Sequence, residues 1–180
     1  MKMLFIGPVG SGKSTQAGLL SSFLNIPYIT TGDILRKVSD EDTELGRRVR
    51  EDIQSGVLVN DRVVAEIIEK RVSEDDCREG YVVDGYPRTL KQIEIFDPGF
   101  DKVFYLHIPD QEAVKRLLKR GRVDDKEEVI QKRLNVYYLL TQPLLAFYEN
   151  MGNLIKIPAT ESIDRVQQQV REYLKGETTE

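Results

Sequence analysis

The stretch GPVGSGKST, residues 7–15, places Gly7, Gly12, Lys13 and Ser14 in the spacing of a loop that cradles phosphate. Glycines let backbone N–H groups approach an anion with no Cβ in the way. Lys13 supplies a mobile point charge, and Ser14 a hydroxyl suited to a magnesium ion shared with the phosphates. A helix starting at Ser14 would aim the positive end of its dipole at the same place.

Two further clusters carry chemistry. DGYPRT, residues 84–89, closes an apolar run on Asp84, which suits either a magnesium partner of the phosphate loop or an ordinary strand-end turn. Arg88, behind Pro87, presents a fork able to take a second phosphate through two parallel hydrogen bonds. In VKRLLKRGRVDDKEEVIQKRL, residues 114–134, Arg116 and Arg120 share a helix face, and Arg122 and Arg133 follow. These four arginines either converge on one place or line a solvated helix pair, and Asp124 and Asp125 read equally as helix-start acids. A phosphate loop in the same chain favours convergence. No base is evident, which fits an acceptor that is itself a phosphate oxygen; a sugar-hydroxyl acceptor would call for a positioned carboxylate.

The elements that must position these groups alternate along the chain. MLFIG, PYIT, YVVDG, KVFYLHI and NLIKIP read as strands. Helices are expected over 14–24, 45–54, 61–72, 111–120, 124–151 with a kink at Pro143, and 163–174, with Val114, Leu117 and Leu118 buried on the fourth of these. Such alternation means an α/β fold with a five-stranded parallel sheet wrapped by helices, and ligands at the C-terminal strand ends. Residues 31–60 contain no strand and form a long helical excursion, the pattern of a binding flap.

The 180 residues, 40% of them apolar, suffice for one domain with a full core. A net charge of −4 disfavours nucleic-acid binding by bulk electrostatics. One cysteine, Cys77, excludes an internal disulfide and a multi-cysteine zinc site, and Cys77 and the lone His107 are expected to be structural. No apolar run reaches membrane-spanning length, and loss of an N-terminal targeting peptide would remove the phosphate loop. The expected setting is the cytoplasm.

Together GPVGSGKSTQ, TTGDILR, VLVND, VVDGYPRTLKQ, LLKRGRVDD and QKRL resemble adenylate kinases of the short-lid type, from Met1 to about Leu174. The resemblance implies reversible, magnesium-dependent transfer of a phosphoryl group from ATP to AMP, giving two ADP; with neither nucleic-acid nor membrane partners expected from charge and hydropathy, a monomer is the expected state, although the sequence itself does not give it. It implies that Gly10, Ser11, Gly12, Lys13, Ser14 and Thr15 hold ATP phosphates, with Arg116, Arg120 and Glu161 also on the ATP side. AMP would be held by Thr31 and Arg36, by Val57, Leu58 and Val59, by Gly85, Tyr86, Pro87, Arg88 and Gln92, and by Arg122 and Arg133. Lys13, Arg88, Arg120, Arg122 and Arg133 would serve the transferring group. Magnesium (Mg2+) would sit on Ser14 and Asp84 and, through water, on Asp33, although capping the helix at Ile34 explains Asp33 equally well.

Thr31 with Gly32 and Asp33, Thr89 after Pro-Arg, and Gln92 all favour AMP over the UMP and CMP used by otherwise similar kinases. Residues 31–60 would be the flap over the monophosphate and 120–125 the lid loop. Only Gly121 separates Arg120 from Arg122, so no inserted lid domain and no zinc site are expected, and closure should lean on the flap and the helix after it.

Overall fold

Strand β1, Lys2–Ile6, buries Met3, Leu4, Phe5 and Ile6 in succession, as a parallel strand covered on both faces must. The computed structural model describes residues 1–122 and 125–175. Around β1 stand β2, Tyr28–Thr30, β3, Tyr81–Asp84, β4, Lys102–His107, and β5, Leu154–Pro158, in the order β2-β3-β1-β4-β5. Every pairing is parallel.

Alternate residues of β1 feed two cores. Leu4 and Ile6 face one side, where α4, Asp61–Val72, and α8, Pro143–Asn150, pack through Val64, Ile68, Leu144 and Tyr148. Met3 and Phe5 face the other, against Ala17 and Leu20 of α1, Lys13–Leu24, Ile130 and Leu134 of α7, Glu127–Val136, and Val166 and Val170 of α9, Ile163–Lys175. The remaining helices are α2, Thr31–Asp40, and α3, Glu44–Ser55, in the excursion after β2, α5, Leu90–Ile95, and α6, Asp110–Arg120. No helix among the described residues is long and apolar enough to cross a membrane.

The structure corrects several expectations. The helix expected over 124–151 is α7, a π-helical stretch Tyr137–Thr141, and α8; its expected start at Asp124 lies outside the described residues. Pro143 has no N–H to give the fourth carbonyl back, so the distortion lies in the turn before it, where Gln142 N–H reaches Tyr137 O at 2.8 Å. On α6 the buried residues are Ala113 and Leu117, while Leu118 is 49% exposed because it lies about 100° further round the helix. α5 and a short 3₁₀ turn, Asp75–Cys77, have no counterpart among the expected elements. Cys77 is a free, buried thiol, and His107 ends β4 on the exposed side, its ring edge-on to Tyr105.

The α2–α3 hairpin owes its tightness to Gly46. A Cβ there would lie 2.3 Å from Glu41 O and 2.7 Å from Val38 O. Gly46→Ala in the exposed interior of a helix would gain about 1 kcal/mol of propensity. Here the clash with two backbone carbonyls outweighs it, so we expect a net loss of roughly 1–3 kcal/mol and a thermal midpoint roughly 2–12 °C lower. A midpoint at or above that of the parent protein would contradict this packing.

Candidate functional site

Each C-terminal strand end delivers part of the site. β1 runs into the glycine loop and α1, whose N-cap is Gly12. β2 opens α2 at Thr31, β3 ends on Asp84 beside Phe5 and Thr30, and β5 leads to Glu161. The loop threads a narrow gap: Gly10 has φ +80°, and a Cβ on it would lie 2.7 Å from Ala113 O of α6.

These ends surround one cavity of about 640 Å³. The loop lines it with Gly10, Ser11, Gly12, Lys13, Ser14 and Thr15, and Arg116, Arg120 and Glu161 stand with them. From the α2–α3 excursion come Thr31, Arg36, Val57, Leu58 and Val59, and from the end of β3 and beyond come Asp84, Gly85, Pro87, Arg88 and Gln92. Arg122 and Arg133 complete the lining. The four arginines of the 114–134 stretch therefore meet in one place.

Two expected residues do not line it. Tyr86 is fully buried and its hydroxyl lies 2.9 Å from Gln92 O and 2.5 Å from Phe96 O, so it braces α5 from the core. Asp33 is not the cap of α2, since Thr30 occupies that position; Asp33 sits on the exposed first turn and pairs with Arg36.

Lys13 folds back on its own loop, its Nζ donating to Gly7 O at 2.9 Å and Pro8 O at 2.8 Å. Withdrawal from water pushes its pKa down to about 8; Asp84 opposes the shift, while Arg88, Arg133 and Arg120 add to it. Burial likewise lowers the pKa of Arg88, against the pull of Asp84 and with the push of Arg36. Arg88 Nε donates to Gly85 O at 3.0 Å, and Thr141 Oγ1, from the π-helical turn, holds Arg88 O at 2.8 Å. Among the described residues, the buried hydroxyls of Ser11 and Thr31 have no hydrogen-bond partner. One belongs to the glycine loop and the other opens α2, so an unmet buried hydroxyl lies at each of these two parts of the cavity wall.

Asp84 Oδ2 accepts from Ser14 Oγ at 2.5 Å and lies 3.4 Å from the Tyr28 hydroxyl, whose pKa burial and Asp84 push up to about 12. Asp125 is the residue whose part the sequence did not reveal. Its side chain is wholly buried, takes Arg120 Nε at 2.8 Å and Nη2 at 2.6 Å, accepts the Arg122 N–H at 3.0 Å, and lies 3.8 Å from Arg133 Nη1. Burial alone would raise its pKa, but the hydrogen bonds from Arg120 and Arg122 and the charges of Arg120 and Arg133 hold it below the ordinary value. It does not cap α7, because Lys126 takes that position. Elsewhere Arg116 pairs with Glu112 at 2.8 Å.

A family model described as adenylate kinase matches residues 5–153. The chain is 40% identical to an adenylate kinase of Prochlorococcus marinus (strain MIT 9515), with 96% of this chain and 97% of the relative covered. Similar relatives are an adenylate kinase of Thermobifida fusca, 40% identical over 98% of this chain and 99% of its own, and one of Caldicellulosiruptor saccharolyticus, 37% identical over 91% and 94%.

The Lys13 pKa generates a pH dependence for polyphosphate binding. Only the protonated amine attracts phosphate, and its pKa near 8 in the free protein rises when an anion binds, so binding above pH 8 takes up a proton. Calorimetric titration with ATP in EDTA should show affinity falling roughly 20-fold from pH 7.5 to 9.5. A flat profile over that range would contradict the position given to Lys13.

Proposed function

This chain belongs to the adenylate kinase family, and from that premise we propose how its residues carry out reversible phosphoryl transfer from ATP to AMP, giving two ADP. The observation that carries the reading is the meeting of Lys13, Arg88, Arg120, Arg122 and Arg133 around one cavity that joins the phosphate loop to the flap.

The loop and Lys13 take the ATP phosphates, Lys13 exchanging its bonds to Gly7 O and Pro8 O for bonds to phosphate oxygens. Arg116 and Glu161 flank the ATP base. Thr31, Arg36, Arg88 and Gln92, with the backbone of Val57, Leu58 and Val59, take AMP. The acceptor oxygen already carries negative charge, so no protein base is required. The task is to hold two mutually repelling polyanions in line and to neutralise the group in transit. Arg120, Arg122 and Arg133, gathered by Asp125, stand where that charge would be met.

Magnesium suits the residues present. Ser14 and Asp84 bring two hard oxygens together, and no group of three or more His, Cys, Asp or Glu among the described residues could hold a metal alone, which fits an ion that keeps water and phosphate as its other ligands. When bound, it supplies neutralisation of charge on the β- and γ-phosphates. Asp33, exposed and paired with Arg36, would reach such an ion only through water.

Residues 31–60 are read as the flap over AMP and 120–125 as the lid loop, of which 123 and 124 lie outside the described residues. The setting we favour is the cytoplasm.

A coupled assay with Mg-ATP against AMP, UMP, CMP, shikimate and gluconate tests the reading. Fast ADP formation is expected with AMP alone, and Arg88→Lys should lower kcat/KM about 100-fold with the fold intact, because a fork is replaced by a point charge. Preference for a pyrimidine monophosphate would overturn the assignment of Thr31 and Gln92, and near-normal turnover in the variant would overturn that of Arg88.

A further inference from the structure

Gln92 is 1% exposed and lines the cavity on the flap side. Its Oε1 accepts the Arg88 backbone N–H at 2.7 Å, and its Nε2 donates to Asp61 Oδ1 at 3.0 Å. The same Asp61 oxygen accepts from Thr89 Oγ1 at 3.0 Å, and Thr89 Oγ1 in turn accepts the Gln92 backbone N–H at 3.1 Å. The carboxylate is not needed to cap α4. Asn60 does that, its Oδ1 accepting from Arg62 N–H at 3.0 Å and Val63 N–H at 3.4 Å.

A primary amide carries two N–H donors and a carbonyl with two lone pairs. With one of each committed, Gln92 has one N–H and one lone pair left for a ligand, and their order is fixed. Rotating the amide by half a turn would set its carbonyl against the Asp61 carboxylate and its N–H group against the Arg88 N–H. Both neighbours reject that orientation: a carboxylate can only accept and a backbone N–H can only donate.

We infer that Asp61 is a positioning residue that fixes which end of the Gln92 amide meets the base, and thereby makes the monophosphate site select a 6-amino purine over a 6-oxo purine. Adenine offers an acceptor at N1 and a donor at its 6-amino group, which one N–H and one carbonyl satisfy together. Hypoxanthine reverses both, with a donor at N1 and an acceptor at O6. Against the fixed amide it would leave two buried like-to-like contacts, and it could be accommodated only by the rotation that Asp61 and Arg88 oppose. The inference rests on the reading of Gln92 as part of the AMP site. Asp61 also begins α4 directly after residues 57–60, so base reading and the flap's return segment share one anchor.

The test is kcat/KM for AMP and for inosine monophosphate in the parent enzyme, Asp61→Asn, Gln92→Ala and the double variant, with thermal midpoints taken alongside. The amide introduced by Asp61→Asn could offer an N–H to a rotated Gln92 carbonyl and so lifts one of the two objections to rotation, the Arg88 N–H keeping the other; this variant should lower the AMP-to-IMP ratio about threefold, less than Gln92→Ala does, and the same change on the Gln92→Ala background should leave the ratio where Gln92→Ala put it. If Asp61→Asn does not fold, Asp61→Ser, which also removes the charge, takes its place. An equal loss for both nucleotides in Asp61→Asn, with the ratio unmoved, would make Asp61 merely structural and overturn the proposal. A ratio that falls in Gln92→Ala but not in Asp61→Asn overturns the proposal alone, and a ratio unmoved by Gln92→Ala overturns base reading by Gln92 and the proposal with it.

Discussion

Crowding cations around one cavity is the constraint on which the rest of the structure depends. Lys13, Arg88, Arg120, Arg122 and Arg133 all line it, the first two and Arg133 half-buried and Arg120 and Arg122 exposed, and like charges gathered so closely repel one another. Burial does most to lower the pKa of Lys13 to about 8, with Arg88, Arg133 and Arg120 adding to it, and burial likewise lowers that of Arg88, with Arg36 adding to it. Two acids relieve it. Asp84 stands by the loop, and Asp125, wholly buried, gathers Arg120, the Arg122 backbone and Arg133. A buried charge held this way is strongly destabilising if its partner is removed, so these acids secure the arrangement that two polyanions complete.

The sheet makes that arrangement possible at low cost in chain length. Five parallel strands send all their C-terminal ends to one edge, so residues distant in sequence, Lys13, Asp84 and Glu161 among them, meet without long loops. The end of α3 sits against α7: a Cβ on Gly56 would lie 3.3 Å from Val129 Cγ1 and 3.5 Å from Arg133 Cγ. The end of the α2–α3 excursion thus touches the helix that carries one of the arginines.

Most of the fold is legible in the sequence because each strand is a short, nearly continuous apolar run and the phosphate loop falls between the first strand and helix. The arginines are legible as a set, since one helix face and one short loop hold three of them. What escapes has physical reasons. Asp125 reads as a helix-start acid, because nothing local distinguishes a carboxylate capping a helix from one collecting guanidinium groups across a loop. α5, at Leu90–Ile95, is too short to show a period. The π-helical turn that lets Thr141 reach Arg88 arises from an interaction between Pro143 and the turn before it, and the inward side of Tyr86 is set by packing against α5. Leu118 is exposed where its apolar character suggests burial, because it lies about 100° round α6 from Leu117, and Ala113, which faces the glycine loop, is buried in its stead on the inner face.

The central claim is that the acceptor is a phosphate oxygen held by cations, with no protein base. It is tested most directly by comparing AMP with adenosine as acceptors for Mg-ATP under identical conditions. The account predicts rapid ADP formation with AMP and no phosphorylation of adenosine, whose neutral sugar hydroxyl would need a base positioned beside it. Turnover of adenosine at a comparable rate would contradict it.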